Sequence, residues 1–375
     1  MVTTPSTLPP EPWWREWPLA LSVGTLTAAF LGQGWISSSL DQPAWLLLIL
    51  AAICTVILTA AIAIVRHADE LAHRLGEPAG TLLLTLAITG LEVAMVAFVM
   101  STGVAKPTLA RDTMFAVVML VLNGFLGLAI LLGGLRHREQ SYNLQSANAF
   151  LLLILPLTVL GLVLPNFTRA TPGPSLSTFQ MVFLSLMSVS VYSAFLFIQN
   201  RRHRGFFVVP EEPAADSGPA RFRSRSTAYH GAMLLAYGVP LVLLAKQMAV
   251  PLDAMVLKLG APKGLSGLLM AVLVLTPESI AAIRSALSNR LQRSVNVLLG
   301  SVLASIGLTI PLVIAVSLLT GRSLVLGLEA SETVMLLLTL ATSVLTFSLP
   351  RTNVLPGCVH LLLFTAYLML LFDQA

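Results

Sequence analysis

Two glutamates, Glu92 and Glu278, stand alone inside long apolar stretches, and each has a helix-weakening residue next to it. The first reads Ile88-Thr89-Gly90-Leu91-Glu92-Val93, the second Val274-Leu275-Thr276-Pro277-Glu278-Ser279. A carboxylate at bilayer depth costs roughly 2.5–3.5 kcal/mol on insertion scales, so its presence marks function rather than packing. Proline removes a backbone hydrogen bond and frees a carbonyl of the preceding turn. Carbonyls freed at a weakened helix are hard-oxygen ligands for Na⁺, K⁺ or Ca²⁺. Thr85, Thr89, Thr276 and Ser279 add hydroxyls within a turn or two of the carboxylates. Calcium takes about 6–8 oxygens, which such a set approaches.

Desolvation favours the neutral form of a buried carboxylate. Two protons on two glutamates leave a neutral site, and so does one divalent cation. Competition between those states is enough for proton-coupled exchange, provided the protein alternates only when the site is neutral. The pair Glu92 and Glu278 is therefore the expected site for both metal cation and proton.

These residues need a membrane around them, and the composition supplies it. Of 375 residues, 56% are hydrophobic and 10% charged, where a soluble domain carries about 25% charged residues. Apolar runs of about twenty residues recur along nearly the whole chain, which excludes a soluble core and indicates an all-α polytopic membrane protein. The net charge of +5 is not a nucleic-acid signature, because the basic residues fall in short segments between apolar runs. Cys54 and Cys358 lie inside predicted spans and offer neither a disulfide framework nor a metal pair. The first eighteen residues lack the pattern of a cleavable signal, and Trp13, Trp14 and Trp17 suit an interfacial anchor.

Eleven spans are predicted: 19–36, 45–65, 79–101, 112–134, 146–164, 178–198, 227–245, 264–284, 294–319, 332–348 and 354–372. Residues 1–44 hold an N-terminal segment and one extra helix. Residues 45–199 and 227–375 form two five-helix blocks, joined by a polar linker, 200–226, with Pro210, Pro213, Gly218 and Pro219. With the N-terminus in the cytoplasm, fifteen basic residues fall inside and seven outside, the arrangement expected in a bacterial inner membrane. An odd number of helices per block makes the second enter from the opposite side, the inverted-repeat plan of many secondary transporters. Each block carries its glutamate in its second helix and a basic residue near the start of its third, Arg111-Asp112 and Arg293-Ser294.

Several of these segments resemble the calcium/cation–proton antiporters of the cation/calcium exchanger superfamily, in particular the bacterial sodium/potassium–calcium–proton antiporter type. The resemblance is carried by Ala110-Arg111-Asp112-Thr113 through Val121-Leu122-Asn123-Gly124, by Gly134-Leu135-Arg136-His137-Arg138-Glu139-Gln140 and by Leu164-Pro165-Asn166-Phe167-Thr168. In the second half it is carried by Thr276-Pro277-Glu278, Leu291-Gln292-Arg293-Ser294-Val295-Asn296 and Leu299-Gly300-Ser301-Val302-Leu303-Ala304-Ser305-Ile306-Gly307. It implies one extra helix plus two inverted five-helix repeats, and cation export against proton entry. Its ion-binding glutamates map onto Glu92 and Glu278. By motif position the following helices would add Asn123, Ser301 and Ser305. The wider calcium–proton exchangers write each glutamate as Gly-Asn-x-x-Glu, often with a following His; here both asparagines and that histidine are absent.

Other candidates have quieter readings. His360 and His230 suit packing, Asp112 and Glu332 suit helix ends, and Arg66-His67-Ala68-Asp69-Glu70-Leu71-Ala72-His73-Arg74 suits a short amphipathic helix on the inner surface. No phosphate loop, nucleophile elbow or Cys/His metal spacing is present. The expected function is proton-coupled antiport of Ca²⁺, Na⁺ or K⁺ by alternating access, with no cofactor besides the transported cation. Its partners would be inorganic cations, protons and the lipid bilayer, with homo-oligomerisation left open. A sodium-coupled cation exchanger is the nearest alternative. A membrane-embedded enzyme is a more distant one, disfavoured because the two carboxylates sit on separate repeats.

Overall fold

The structure, a computed structural model, describes residues 12–32, 42–75, 79–101, 107–171, 173–202, 204–207, 225–260, 262 and 264–373. Long apolar runs become helices because only helices satisfy every backbone group within one segment in lipid. A single 3-10 turn, Trp13–Glu16, leads into α1 (Trp17–Leu31), with Pro18 in the first helical turn, where its missing N–H costs nothing. The first block comprises α2 (Pro43–Leu75), α3 (Ala79–Ser101), α4 (Leu109–His137), α5 (Leu144–Asn166) and α6 (Thr178–Phe197). The second comprises α7 (Thr227–Leu259), α8 (Leu265–Leu287), α9 (Leu291–Thr320), α10 (Ala330–Thr346) and α11 (Val354–Asp373). Among the described residues, α2, α4, α5, α6, α7, α8, α9 and α11 are each long and apolar enough to cross a bilayer.

Local chemistry sets the helix ends. Asn143 and Ser226 accept from backbone N–H groups at the starts of α5 and α7, and Ser177 with Gln180 forms a capping box on α6. The carboxylate of Glu332 accepts from the Glu329 N–H, so Glu332 caps α10. Gly260 and Gly321 end α7 and α9 with φ of 64° and 66°, a left-handed turn that glycine adopts without strain.

The packing repeats itself between the blocks. The first helices, α2 and α7, have 33 residues each, about 50 Å of helix at 1.5 Å per residue, and they pack on one another. Helix α3 packs on α9 as α8 packs on α4; α6 and α5 pack on α9 as α11 and α10 pack on α4. The connections follow the same scheme. A two-residue strand after α4 (β1, Gln140–Ser141) pairs with one before α11 (β2, Arg351–Thr352). At the other pair of ends, the Leu328 N–H donates to the Leu162 carbonyl and Asn166 Nδ2 to the Leu328 carbonyl. The α4–α11 crossing is close: a Cβ on Gly357 would lie 2.6 Å from the Leu131 backbone nitrogen, so only glycine fits.

Two expectations change. Residues 66–74 are no separate surface helix; they continue α2 without interruption, and His67 and Ala68 are buried. Residues 246–259, expected outside the seventh span, continue α7. In both places packing between α2 and α7 overrides the polar composition that suggested a span end. Of the 200–226 linker, residues 203 and 208–224 lie outside the described residues.

Candidate cation and proton site

Helix α3 brings Glu92 to the centre of the bundle, where it is 4% exposed. Helix α8 brings Glu278 to a half-buried position. Between them runs α9, whose stretch from Gly300 to Gly307 includes the small residues Gly300, Ser301, Ala304, Ser305 and Gly307. Ser305 Oγ donates to Glu92 Oε2 at 2.6 Å, and Ser301 Oγ donates to Glu278 Oε2 at 3.0 Å. The two serines are four residues apart, one helical turn, so their hydroxyls sit on one face about 6 Å from each other. Each carboxylate is thus tied to a successive turn of one helix, and the two carboxylates interact electrostatically. The Ser305–Glu92 bond joins the two blocks; the Ser301–Glu278 bond stays within the second.

The neighbouring hydroxyls behave differently. Thr276 Oγ1 donates to the Val272 carbonyl, and Ser279 Oγ donates to the Leu275 carbonyl at 2.8 Å, so both are spent on their own helix. Thr89 is buried one turn before Glu92. The Thr85 side chain lies outside the described residues. Neither helix is broken at the site: α3 runs through Gly90 and α8 runs through Pro277. Pro277 still leaves the Leu273 carbonyl without its i+4 donor. Among the described residues the irregular turns lie elsewhere, as π-helical segments Met119–Phe125 in α4, Val159–Val163 in α5 and Ile198–Arg202 after α6. Such segments are rare and cluster at functional places.

Asn123, fully buried in the first of those segments, does not reach a glutamate. Its Nδ2 donates to Thr339 Oγ1 at 2.8 Å, and its Oδ1 lies 3.0 Å from His360 Nδ1. His360 Nε2 is 3.0 Å from Thr346 Oγ1. Since the amide oxygen can only accept, Nδ1 of His360 carries the hydrogen, and neutral His360 then accepts from Thr346 through Nε2. This closed chain joins α4, α10 and α11. Sequence reasoning placed Asn123 with the glutamates; its rotation within the π-helical turn places it on the opposite neighbours.

Cation chemistry at the pair is limited to what these groups supply. The two carboxylates offer four oxygens and the two serines two more, which a monovalent or divalent cation can use in part or whole. Among the described residues, no group of three or more His, Cys, Asp or Glu forms a metal cluster. Near the opposite flank, a small apolar cavity between α3, α4, α7 and α8 is lined by Val96, Val99, Thr113, Met248 and Met270.

Outside this pair the sequence reading missed a polar cluster at the N-terminal side. Glu16, Arg66, His67, Tyr229, His230 and Tyr237 converge there from three elements. Only a contact between positions distant in sequence could have shown it.

With this geometry in place, comparison with known proteins is informative. The family model described as sodium/calcium exchanger protein matches residues 44–200 and 230–372. The chain is 45% identical over 317 residues to y4hA of Sinorhizobium fredii, which bears the name of an ionic transporter, covering 84% of this chain and 86% of that one. It is 39% identical over 319 residues to the sodium-potassium/proton antiporter ChaA of Escherichia coli, again covering 84% and 86%. In fold it is similar to native YfkE, with a TM-score of 0.73 at 16% identity, over 95% of this chain and 99% of that one. The match spans both five-helix blocks, including the two glutamate helices and α9, and the chain accordingly belongs to the sodium/calcium exchanger family.

Proposed function

We propose that the protein is a proton-coupled cation antiporter that works by alternating access at Glu92 and Glu278. The observation that carries this reading is the pair of hydroxyl–carboxylate bonds from one turn of α9, which places both carboxylates in a single electrostatic unit. Loading with two protons, with one divalent cation, or with a monovalent cation plus one proton neutralises that unit, and only the neutral unit is cheap at the low-dielectric centre. Transport, rather than an enzymatic reaction, is favoured by the family.

The exported cation is Na⁺ or K⁺ as well as Ca²⁺. Two observations support that breadth. ChaA, with the higher identity, is named for sodium and potassium, whereas YfkE is described as a Ca²⁺/H⁺ antiporter and shares the fold at under 20% identity. In addition, Asn123 is engaged with Thr339 and His360, so its amide is not directed at the carboxylates, which bond to the Ser301 and Ser305 hydroxyls. We further place eleven helices in the bacterial inner membrane, as one extra helix and two inverted repeats, with the N-terminus on the cytoplasmic side. The paired packing of α2–α6 and α7–α11 and the basic-residue count support this arrangement.

The test is a proteoliposome assay with an internal pH dye, adding Ca²⁺, Na⁺ and K⁺ separately. Each transported cation gives a pH change of the lumen in wild type and none in Glu92→Gln or Glu278→Gln. A pH-independent flux, or wild-type exchange in either variant, would contradict the proposal.

A further inference from the structure

At the end of the molecule where the N-terminal segment lies, two buried histidines from different blocks touch. His67 on α2 is 0% exposed and His230 on α7 is 1% exposed. Their Nδ1 atoms are 2.9 Å apart, a hydrogen-bond distance between two ring nitrogens. His67 Nε2 is 3.2 Å from Glu16 Oε2, and Glu16 lies on the 3-10 turn before α1. Arg66 Nη2 donates to both oxygens of Glu16 at 2.8 Å. Tyr237 and Tyr229 hydroxyls donate to the same carboxylate at 2.7 Å and 3.2 Å. Arg225 stacks over the Tyr229 ring at 4.7 Å. From α3 and α8, which also pack on α2, the acidic groups Glu92 and Glu278 turn instead to Ser305 and Ser301.

These contacts limit where hydrogens can sit. Burial alone would push the Glu16 carboxyl up, but the Tyr237 hydroxyl, the Arg66 guanidinium and His67 together hold it below its ordinary value, so Glu16 is ionised near neutral pH. Glu16 therefore only accepts, and a hydrogen on His67 Nε2 serves it, while Arg66 Nη2, which only donates, lies 3.2 Å from the same nitrogen and finds its own acceptors on Glu16. In neutral His67 the Nδ1 then presents a lone pair, and His230 supplies the hydrogen between the two Nδ1 atoms. A single added proton keeps one hydrogen in that gap, whichever ring carries it. A second added proton would set N–H against N–H at 2.9 Å and force the rings apart.

We infer that His67 and His230 form a binding site for one proton, separate from the two-glutamate site, which ties the N-terminal turn to the C-terminal part of α2 and the first turn of α7. In the unprotonated pair the charges of Glu16 and Arg66 cancel. The added proton makes the pair an imidazolium whose bond to Glu16 is charge-assisted and stronger than a neutral one. Because α2 and α7 are the first helices of the two blocks, occupancy fastens the blocks to each other and to α1 at one end.

The test uses the full chain in nanodiscs and hydrogen exchange of residues 13–31. Corrected for intrinsic chemistry, wild-type exchange should slow by about tenfold from about pH 7 to about pH 5. His67→Gln and His230→Gln should each remove that pH response, while Tyr237→Phe, which leaves the ring pair intact, keeps it. Glu92→Gln should also keep it, which separates this site from the transport site. An unchanged wild-type ratio, a response that survives both histidine substitutions, or one that vanishes in Glu92→Gln would overturn the inference. Should a histidine variant fail to fold, the wild-type and Glu92→Gln ratios alone still decide it.

Discussion

Helices α4 and α9 occupy matching places in the two blocks, yet their polar residues do opposite things. Asn123 follows Arg111 by the same spacing at which Ser305 follows Arg293. Ser305 crosses to the other block and binds the Glu92 carboxylate. Asn123 also crosses to the other block, but it binds Thr339 and His360 on the outer helices α10 and α11. A symmetric scaffold thus carries an asymmetric centre. The α9 side supplies both hydroxyls to the carboxylates, and the α4 side locks the scaffold. The local cause is visible in the backbone: α9 is a regular helix through Ser305, whereas α4 is π-helical from Met119 to Phe125, which rotates Asn123 away.

If that division of labour is right, the carboxylates carry the largest effects. Glu92→Gln and Glu278→Gln each keep the size of the side chain but remove its charge and its proton-accepting oxygen pair. Exchange should fall by at least roughly 100-fold, or ~2.7 kcal/mol, with thermal stability retained. Proteoliposome flux measured beside a detergent melting curve reads both quantities. A variant with a residual flux above about a tenth of wild type would break the α9 side of the comparison.

The serines come next. Ser305→Ala removes a 2.6 Å bond to a fully buried carboxylate and should weaken apparent cation affinity about tenfold, the ~1.4 kcal/mol that a bond to a charged group supplies. Ser301→Ala should cost less, because its bond is longer, at 3.0 Å, and Glu278 is only half-buried. Equal losses at the two positions, or a larger loss at Ser301, would argue that water rather than α9 sets the energies of the pair.

On the α4 side the expectation reverses, with stability lost and transport spared. His360→Leu leaves the Asn123 amide oxygen and the Thr346 hydroxyl without their partner, a cost of about 1–3 kcal/mol for buried polar groups. It should lower the melting temperature while holding flux and cation affinity within about twofold of wild type. Loss of flux with unchanged stability would move Asn123 and His360 into the transport site.

How far the sequence reached depends on the range of the interaction. The long helices are legible because bilayer length and backbone satisfaction act locally, so runs such as 79–101 and 178–198 announce their own bounds. Glu92 and Glu278 stand out because a charge in an apolar run is costly wherever it sits. Ser301 and Ser305 are legible only through the family resemblance, by their motif position on α9. Spacing could not say that Thr276 and Ser279 bond to carbonyls of their own helix, since rotamer choice depends on neighbours. Nor could it give the π-helical turn that redirects Asn123. The stretch 66–74 shows the same limit: its charges suggest a surface helix, but α7 packs along it and buries His67 against His230.

The smallest expected effect lies furthest from the carboxylate pair, at Glu16, and it tests whether the N-terminal turn belongs to the scaffold. Glu16 is partly exposed, so solvent screens its bonds to Arg66 and the tyrosines and the contribution is modest. Its carboxyl titrates below the ordinary 4.5 because the Tyr237 hydroxyl, Arg66 and His67 outweigh the effect of burial. The sign follows directly. A carboxyl whose folded pKa is depressed stabilises the fold above its unfolded pKa, and that contribution disappears as pH falls through the folded value. The melting temperature of wild type should therefore exceed that of Glu16→Gln by about 2 °C near neutral pH. The gap should narrow only below about pH 4.5, as protonation makes wild type resemble the variant. A gap that stays constant down to about pH 3 would mean that Glu16 contributes through shape and hydrogen bonding rather than charge. The His67–Glu16 bond would then be a neutral contact, and the N-terminal turn would dock on α2 and α7 without an ion pair to hold it.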